Sequence, residues 1–301
     1  TISVSEFYDK VKYNSQAQQV LLSMIIGEVF EKEYGGKVSA QEVDDAYNDM
    51  AEQYGDSFAS ALASAGLTEE TYKDQIRTNK LVEYAVKKAA EKELTDDAYK
   101  SAYEAYTPEV TARIIRLDDE TKAKEVLASA QAEGADFAQL AKDNSTDTNT
   151  KDDGGKITFD SSSTTVPTEV KTAIFALDAG QVGASVISVL DTSTYTTSYY
   201  VVKLESKTEK SDNWKDYKDK LKEIILAEKQ ADSTFVSNVI KTALQDANVK
   251  VKDSAFQNLL SQYITTEESS SSTESSSSSS STTESSTESS SSTTESSSSG
   301  E

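Results

Sequence analysis

The chain has 301 residues, 36% of them hydrophobic, a formal net charge of -22 and an isoelectric point near 4.4. It has no cysteine and no histidine, which excludes disulfides, thiolate or imidazole metal sites, a cysteine nucleophile and Ser-His-Asp catalysis. The acidic balance argues against nucleic acid as a partner, since phosphate binding needs a basic face.

Residues 5–34 read as one helix, with Val20, Leu21, Met24, Ile25 and Val29 at three- and four-residue steps. Gly35 and Gly36 stop it. Ser39 with Glu42 is a capping box that opens a second helix, carrying Val43, Ala46, Tyr47 and Met50. A short helix follows over 57–65, closed by Gly66. Thr68 caps a long fourth helix with Tyr72, Ile76, Leu81, Tyr84 and Val86, and Thr95 caps a fifth that ends at Thr107 and Pro108.

Beyond Pro108 the texture changes. A strand is predicted over 110–117, then helices over 120–132 and 137–142, the second capped by Asp136. A polar loop leads through Gly154 and Gly155 to a short strand with Ile157 and Phe159. A helix over 169–177 and strands over 186–189 and 199–204 complete a small α+β unit. Helix returns at Trp214, with a long stripe from Tyr217 to Leu244. An apolar cluster of Val249, Val251, Phe256, Leu259, Leu260 and Tyr263 closes the folding part. Residues 265–301 contain only Ser, Thr, Glu and Gly, cannot bury apolar surface and read as a disordered tail. The expected architecture is α+β: an all-α lobe built from both ends, with the α+β unit inserted between them. The boundaries are 1–106, 107–207, 208–264 and 265–301.

No run of about 20 apolar residues is present, so no segment is expected to span a membrane. Thr1 leads straight into a structured segment, which reads as a mature or trimmed form. The run from Asp147 to Gly154 is not a calcium loop: Lys151 occupies a ligand position and Asp152 stands where the sharp-turn glycine belongs. No metal and no cofactor are expected. Read alone, Asp147 is a turn or cap residue and Gly154–Gly155 a turn.

Two phrases carry a family resemblance: FAQLAKDNSTDTNTKDDGG at 137–155 and FALDAG at 175–180. They resemble the parvulin family of peptidyl-prolyl isomerases, in which F-x-x-L-A-x-x-x-S-x-D precedes a Gly-Gly pair. With the helical flanks and the Ser-rich end, residues 5–263 resemble PrsA-type foldase lipoproteins of Gram-positive bacteria. The resemblance implies a parvulin-like domain that rotates X-Pro bonds, a barrier of roughly 18–20 kcal/mol, by binding the twisted amide better than the planar one. It places Asp147 at the family's acidic or thiol position, and Arg113 and Tyr200 where the family carries histidines. The proline-gripping Met and Phe correspond to Thr165 or Val166 and to Val170, and Phe159 belongs to the phrase after the Gly-Gly pair. Arg113 is expected to pair with Asp147. With histidines and aromatic grip both absent, the isomerase pocket reads as degraded.

The resemblance further implies unfolded secreted proteins as clients, attachment to the outer face of the cell membrane through a lipidated cysteine absent from these residues, and a homodimer through the helical lobe. Alternatives are an active isomerase whose chaperoning is secondary, and a surface adhesin or antigen without a folding role.

Overall fold

The computed structural model describes residues 1–264; the expected disordered tail lies outside the described residues. The first helical stretch is two helices, α1 (Val4–Val11) and α2 (Ser15–Tyr34), not one. Asn14 leaves helical geometry and its side chain accepts from the backbone N–H groups of Gln16 and Ala17, starting a new helix. Next come α3 (Ala40–Tyr54), α4 (Phe58–Ser64), α5 (Glu69–Glu91) and α6 (Asp96–Ala105). Ser39 and Glu42 form the expected capping box, and Thr68 and Thr95 cap α5 and α6.

The middle of the chain forms β1 (Val110–Leu117), α7 (Glu120–Gln131), α8 (Phe137–Asn144), β2 (Lys156–Phe159), α9 (Thr168–Phe175), β3 (Ile187–Asp191) and β4 (Thr196–Lys207). The strands make one antiparallel sheet in the order β2-β1-β4-β3. β4 starts earlier than its apolar core suggests because Thr196–Ser198 pair with β3 despite their polar side chains. Strand alternation sends side chains to two cores. Val110, Ala112 and Ile114 of β1 join Tyr200, Val202 and Leu204 of β4 against α9. Ile115, Leu117 and Val201 face α7 and α8 on the other side.

The C-terminal stripe is also two helices, α10 (Lys218–Ala231) and α11 (Ser233–Asp246). Asp232 separates them and caps α11 through Thr234 and Phe235. α11 returns to the N-terminal helices. Ile240, Ala243 and Leu244, with Phe256, Leu259 and Leu260, share a core with Leu22, Ile26 and Phe30 of α2, Val43 of α3 and Leu81 and Ala85 of α5. Each fully buried Leu or Phe in such a core contributes about 1.5–3 kcal/mol. The two ends of the chain thus complete one helical lobe, as expected. A fourth cluster, Tyr99 and Tyr106 with Leu221 and Ile225, packs α6 against α10 next to the sheet unit.

Candidate functional site

The loop between α8 and β2 is held from three directions. Asp136 caps α8 through Gln139. Ser145, the one buried polar residue among the described residues, is 2% exposed. Its hydroxyl accepts from the Arg116 and Asp147 backbone N–H groups at 3.2 and 3.3 Å, and Thr146 N donates to Arg116 O at 2.8 Å. The loop is therefore sewn to β1. Asp147 turns its carboxylate back into its own loop, accepting from Asn149 N at 3.1 Å and Thr150 Oγ1 at 2.7 Å. That is the bonding of a turn residue.

Gly154 and Gly155 close the loop in the left-handed region, at φ +63° and +76°. A Cβ on Gly154 would lie 2.7 Å from both Ala138 Cβ and Arg113 Nη1. One on Gly155 would collide with the Ile114 carbonyl, because the Ile114 N–H bonds Gly155 O at 2.8 Å. Both positions require glycine for conformation and for close approach.

Arg113 does not meet Asp147, so the expected pair is corrected. Its side chain leaves β1 on the α8 side, where Nε donates to Glu205 at 2.5 Å and Nη1 donates to the Asp153 and Gly154 carbonyls at 3.0 and 2.9 Å. Val166, Val170, Phe159 and Tyr200 belong to the opposite core. One residue of register decides the face. On the Tyr200 face of β1 stand Ile114, opposite Val202, and Arg116, opposite Tyr200.

Arg116 was not singled out from sequence, although it follows from counting in twos from Ile114. Its Nε and Nη2 donate to Ser198 Oγ at 3.1 and 3.0 Å, and Nη2 lies 3.9 Å from Asp118 Oδ1. Tyr200 is 8% exposed. Burial pushes its phenol above the ordinary value; the Arg116 charge opposes this, and the Asp147 and Asp118 carboxylates add to it. The phenol stays protonated at neutral pH and is a hydrogen-bond donor. No buried polar side-chain atom of the described residues lacks a partner. Since the Tyr200 hydroxyl bonds none of the described residues, it reaches solvent.

The residues placed at the proline grip are closed over. Val170 is 0%, Phe159 3% and Val166 7% exposed, packed with Ile174, Leu177 and Leu204. Val166 turns inward and Thr165 faces solvent, so of the two alternatives for the Met position Val166 lies in the apolar cluster. Nearby, an open depression is lined by Arg116, Asp118 and Thr196–Tyr199. Among the described residues no group of acidic, cysteine or histidine side chains has the arrangement of a metal site. The arrangement offers hydrogen-bond donors to an amide from Tyr200 and Arg116. It offers no nucleophile poised by a base.

A four-stranded antiparallel sheet with α7 and α8 on one face, α9 on the other and a Gly-Gly loop sewn to β1 defines a rotamase domain. Residues 116–206 match the PPIC-type PPIASE domain. The wider comparisons cover nearly all described residues. A foldase protein PrsA of Streptococcus gordonii is 64% identical over 88% of this chain and 85% of its own length. A crystal structure of foldase protein PrsA from Streptococcus pneumoniae superposes with a TM-score of 0.81 at 59% identity, covering 87% of this chain and 95% of the other. One from Lactococcus lactis gives 0.69 at 35% identity, covering 88% and 96%. The chain belongs to the PrsA foldase family, and its role is that of a folding chaperone. Family membership does not favour the adhesin reading.

Proposed function

We propose that the chain is an extracytoplasmic foldase that holds unfolded secreted proteins on its helical lobe, with X-Pro isomerisation that is weak or lost. The observation that carries this reading is the burial of Val170, Phe159 and Val166, which turns the side chains at the family's proline-grip positions into the core under α9. Differential binding of a twisted prolyl amide needs an apolar slot for the proline ring. Asp147, bonded within its own loop, acts as a structural residue. Tyr200, with Arg116 beside it, is the remaining polar group of the site.

The holding function has a candidate surface between α2, α5 and α11. A groove of about 340 Å³ has an apolar floor that includes Phe30, Tyr34, Phe235 and Val239, rimmed by Glu33, Lys88, Lys92 and Asp246. The groove suits an apolar client segment, because the aromatic floor provides area and the mixed-sign rim keeps it wet when empty. Membrane attachment through a lipidated cysteine and homodimerisation belong to the same reading. The exposed Ile2, Val4 and Phe7 near α1 and Val20 and Met24 on α2 support an association surface on this lobe.

The test pairs two assays on one preparation: turnover of a proline peptide, and suppression of aggregation of a reduced, unfolded protein. Aggregation suppressed with X-Pro turnover near background is expected. Turnover at the rate of an ordinary parvulin would overturn the closed-pocket reading.

A further inference from the structure

We propose that the free edge of β3 is a second client site, which takes an extended segment of an unfolded chain as a fifth strand. β3 is the outer strand beside β4, and its outward backbone groups bond to none of the described residues. Edge strands are normally guarded by lysine, proline, a bulge or a covering element. Ile187–Asp191 reads ISVLD, pairs with β4 without a register shift and has only Asp191 at its end as a guard. The other edge strand, β2, is shorter and begins with Lys156.

Two further observations point to an occupant. Leu190 is 56% exposed on this strand, and Tyr195, in the hairpin joining β3 to β4, is 83% exposed. Tyr195 also sits at φ +55°, a left-handed conformation that a bulky residue rarely adopts and that costs of order 1–3 kcal/mol. The hairpin thus holds an aromatic ring in solvent at the end of an unguarded edge.

The occupant follows from the foldase role, on which this inference rests; it does not depend on turnover by the closed pocket. A foldase meets chains whose common feature is unpaired backbone amide, whatever their side chains. Main-chain pairing along an edge reads that feature without regard to sequence. The place is also continuous with the rotamase site. Ile187 pairs with Tyr200, and Val189 with Ser198, which holds Arg116. A strand added to β3 would lie about 10 Å from β4, two strand spacings. Its alternate side chains would lie beside Ile187 and Val189 on the Tyr200 side of the sheet. A client proline is admissible wherever its missing N–H would point away from β3.

The probe is an eight-residue peptide of alternating valine and threonine with Gly-Ser flanks. Its twin is N-methylated at two adjacent central residues, which blocks both edges of the peptide while keeping its side chains and charge. Binding to the full chain is measured by calorimetry, and amide hydrogen exchange locates it. The unmethylated peptide is expected to slow exchange within 187–191, and the twin to bind at least about tenfold more weakly, for the loss of two or more hydrogen bonds. Leu190→Lys, a change at an exposed side chain, is expected to weaken the peptide about fivefold or more while the melting temperature holds.

Equal binding of the twin, protection confined to the helical lobe, or no binding at about 1 mM peptide would each overturn the proposal. So would self-association of the chain that protects 187–191 without peptide, which would make a second copy the occupant. Aggregation suppression is run in parallel on wild type and Leu190→Lys. If wild type suppresses aggregation but does not bind the peptide, the edge site fails and the chaperone reading stands; if neither occurs, the chaperone reading fails as well.

Discussion

Arg113 and Tyr200 carry opposite consequences for substitution. Arg113 is mostly buried and bonds one carboxylate and two loop carbonyls, so its removal orphans acceptors at the Gly-Gly turn. Arg113→Ala is expected to lower stability by about 1–3 kcal/mol, read as a fall in melting temperature, with no change in X-Pro turnover. A change in turnover at constant stability would contradict the assignment of this side chain to the α8 face. Tyr200 has the reverse profile, because its hydroxyl reaches solvent while its ring packs among Val202, Leu204 and Val170. Tyr200→Phe should hold stability within about 0.5 kcal/mol and abolish any residual isomerisation that depends on a donated hydrogen bond. Unchanged turnover in Tyr200→Phe would leave Arg116 as the donor. The Gly-Gly pair was legible in the quoted motif; Ser145 stands in it too, but its burial and its bonds to Arg116 and Asp147 emerge only from the fold. The face of Arg113 was only half legible: counting in twos puts Arg113 and Arg116 on opposite faces of β1, but only pairing with β4 shows which face carries Tyr200.

At the scale of elements, most boundaries were written in caps, as Ser39 with Glu42, Thr68 and Thr95 show. The two missed breaks, at Asn14 and Asp232, have the same cause. A single continuous helix was read across each break, although the helices on either side pack differently: α1 buries no residue, and α10 packs with α6 while α11 joins the core of α2 and α5. In both places the cap was present in the sequence and outweighed by periodicity. Asp232 accepts from Thr234 N at 2.9 Å and Phe235 N at 3.2 Å. Asp232→Ala should therefore cost about 1 kcal/mol, by chemical denaturation, whereas a continuous helix would gain from the alanine. α1 is the least anchored element, with no buried residue of its own. Its ties to the body include the Tyr8 hydroxyl donating to Asp253 at 2.9 Å and an ion pair from Lys12 to the same carboxylate at 3.7 Å.

At the scale of the whole molecule, the sheet unit meets the helical lobe at Asp160. This carboxylate accepts from Tyr106 of the α6 end at 3.2 Å and lies 3.7 Å from Lys220 Nζ of α10. Burial would raise it, but hydrogen bonds from Ser162 and Tyr106 and the Lys220 charge hold it below the ordinary carboxylate value. A carboxyl depressed in the folded state stabilises above its unfolded value, near ~3.9, and loses that stabilisation as pH falls through the lower folded value. Asp160→Asn should cost about 1–3 kcal/mol near pH 7 and progressively less below about pH 4, by denaturation at each pH. A constant difference across that range would refute the charged contact.

The two connections between the lobe and the sheet unit run side by side. Thr208 N donates to Glu109 O at 3.0 Å, and Lys210 Nζ donates to the Tyr103 and Tyr106 carbonyls, each at 2.6 Å. The chain therefore leaves and re-enters the helical lobe at nearly one point, so residues 107–207 can be proposed as an insertion. The helical core, by contrast, needs both ends, because Leu244, Leu259 and Leu260 share one core with Phe30 and Leu81. Residues 1–106 alone should then fail to fold cooperatively, since the missing segment exposes several side chains worth about 1.5–3 kcal/mol each. Joining 1–106 to 208–264 through a short Gly-Ser linker should restore one cooperative transition, together with aggregation suppression, because the linker spans adjacent ends at little entropic cost. If the linked lobe unfolds without cooperativity, the sheet unit is an integral part of the chaperone core. If the lobe folds but no longer suppresses aggregation, holding requires the sheet unit, and the groove between α2, α5 and α11 is not sufficient.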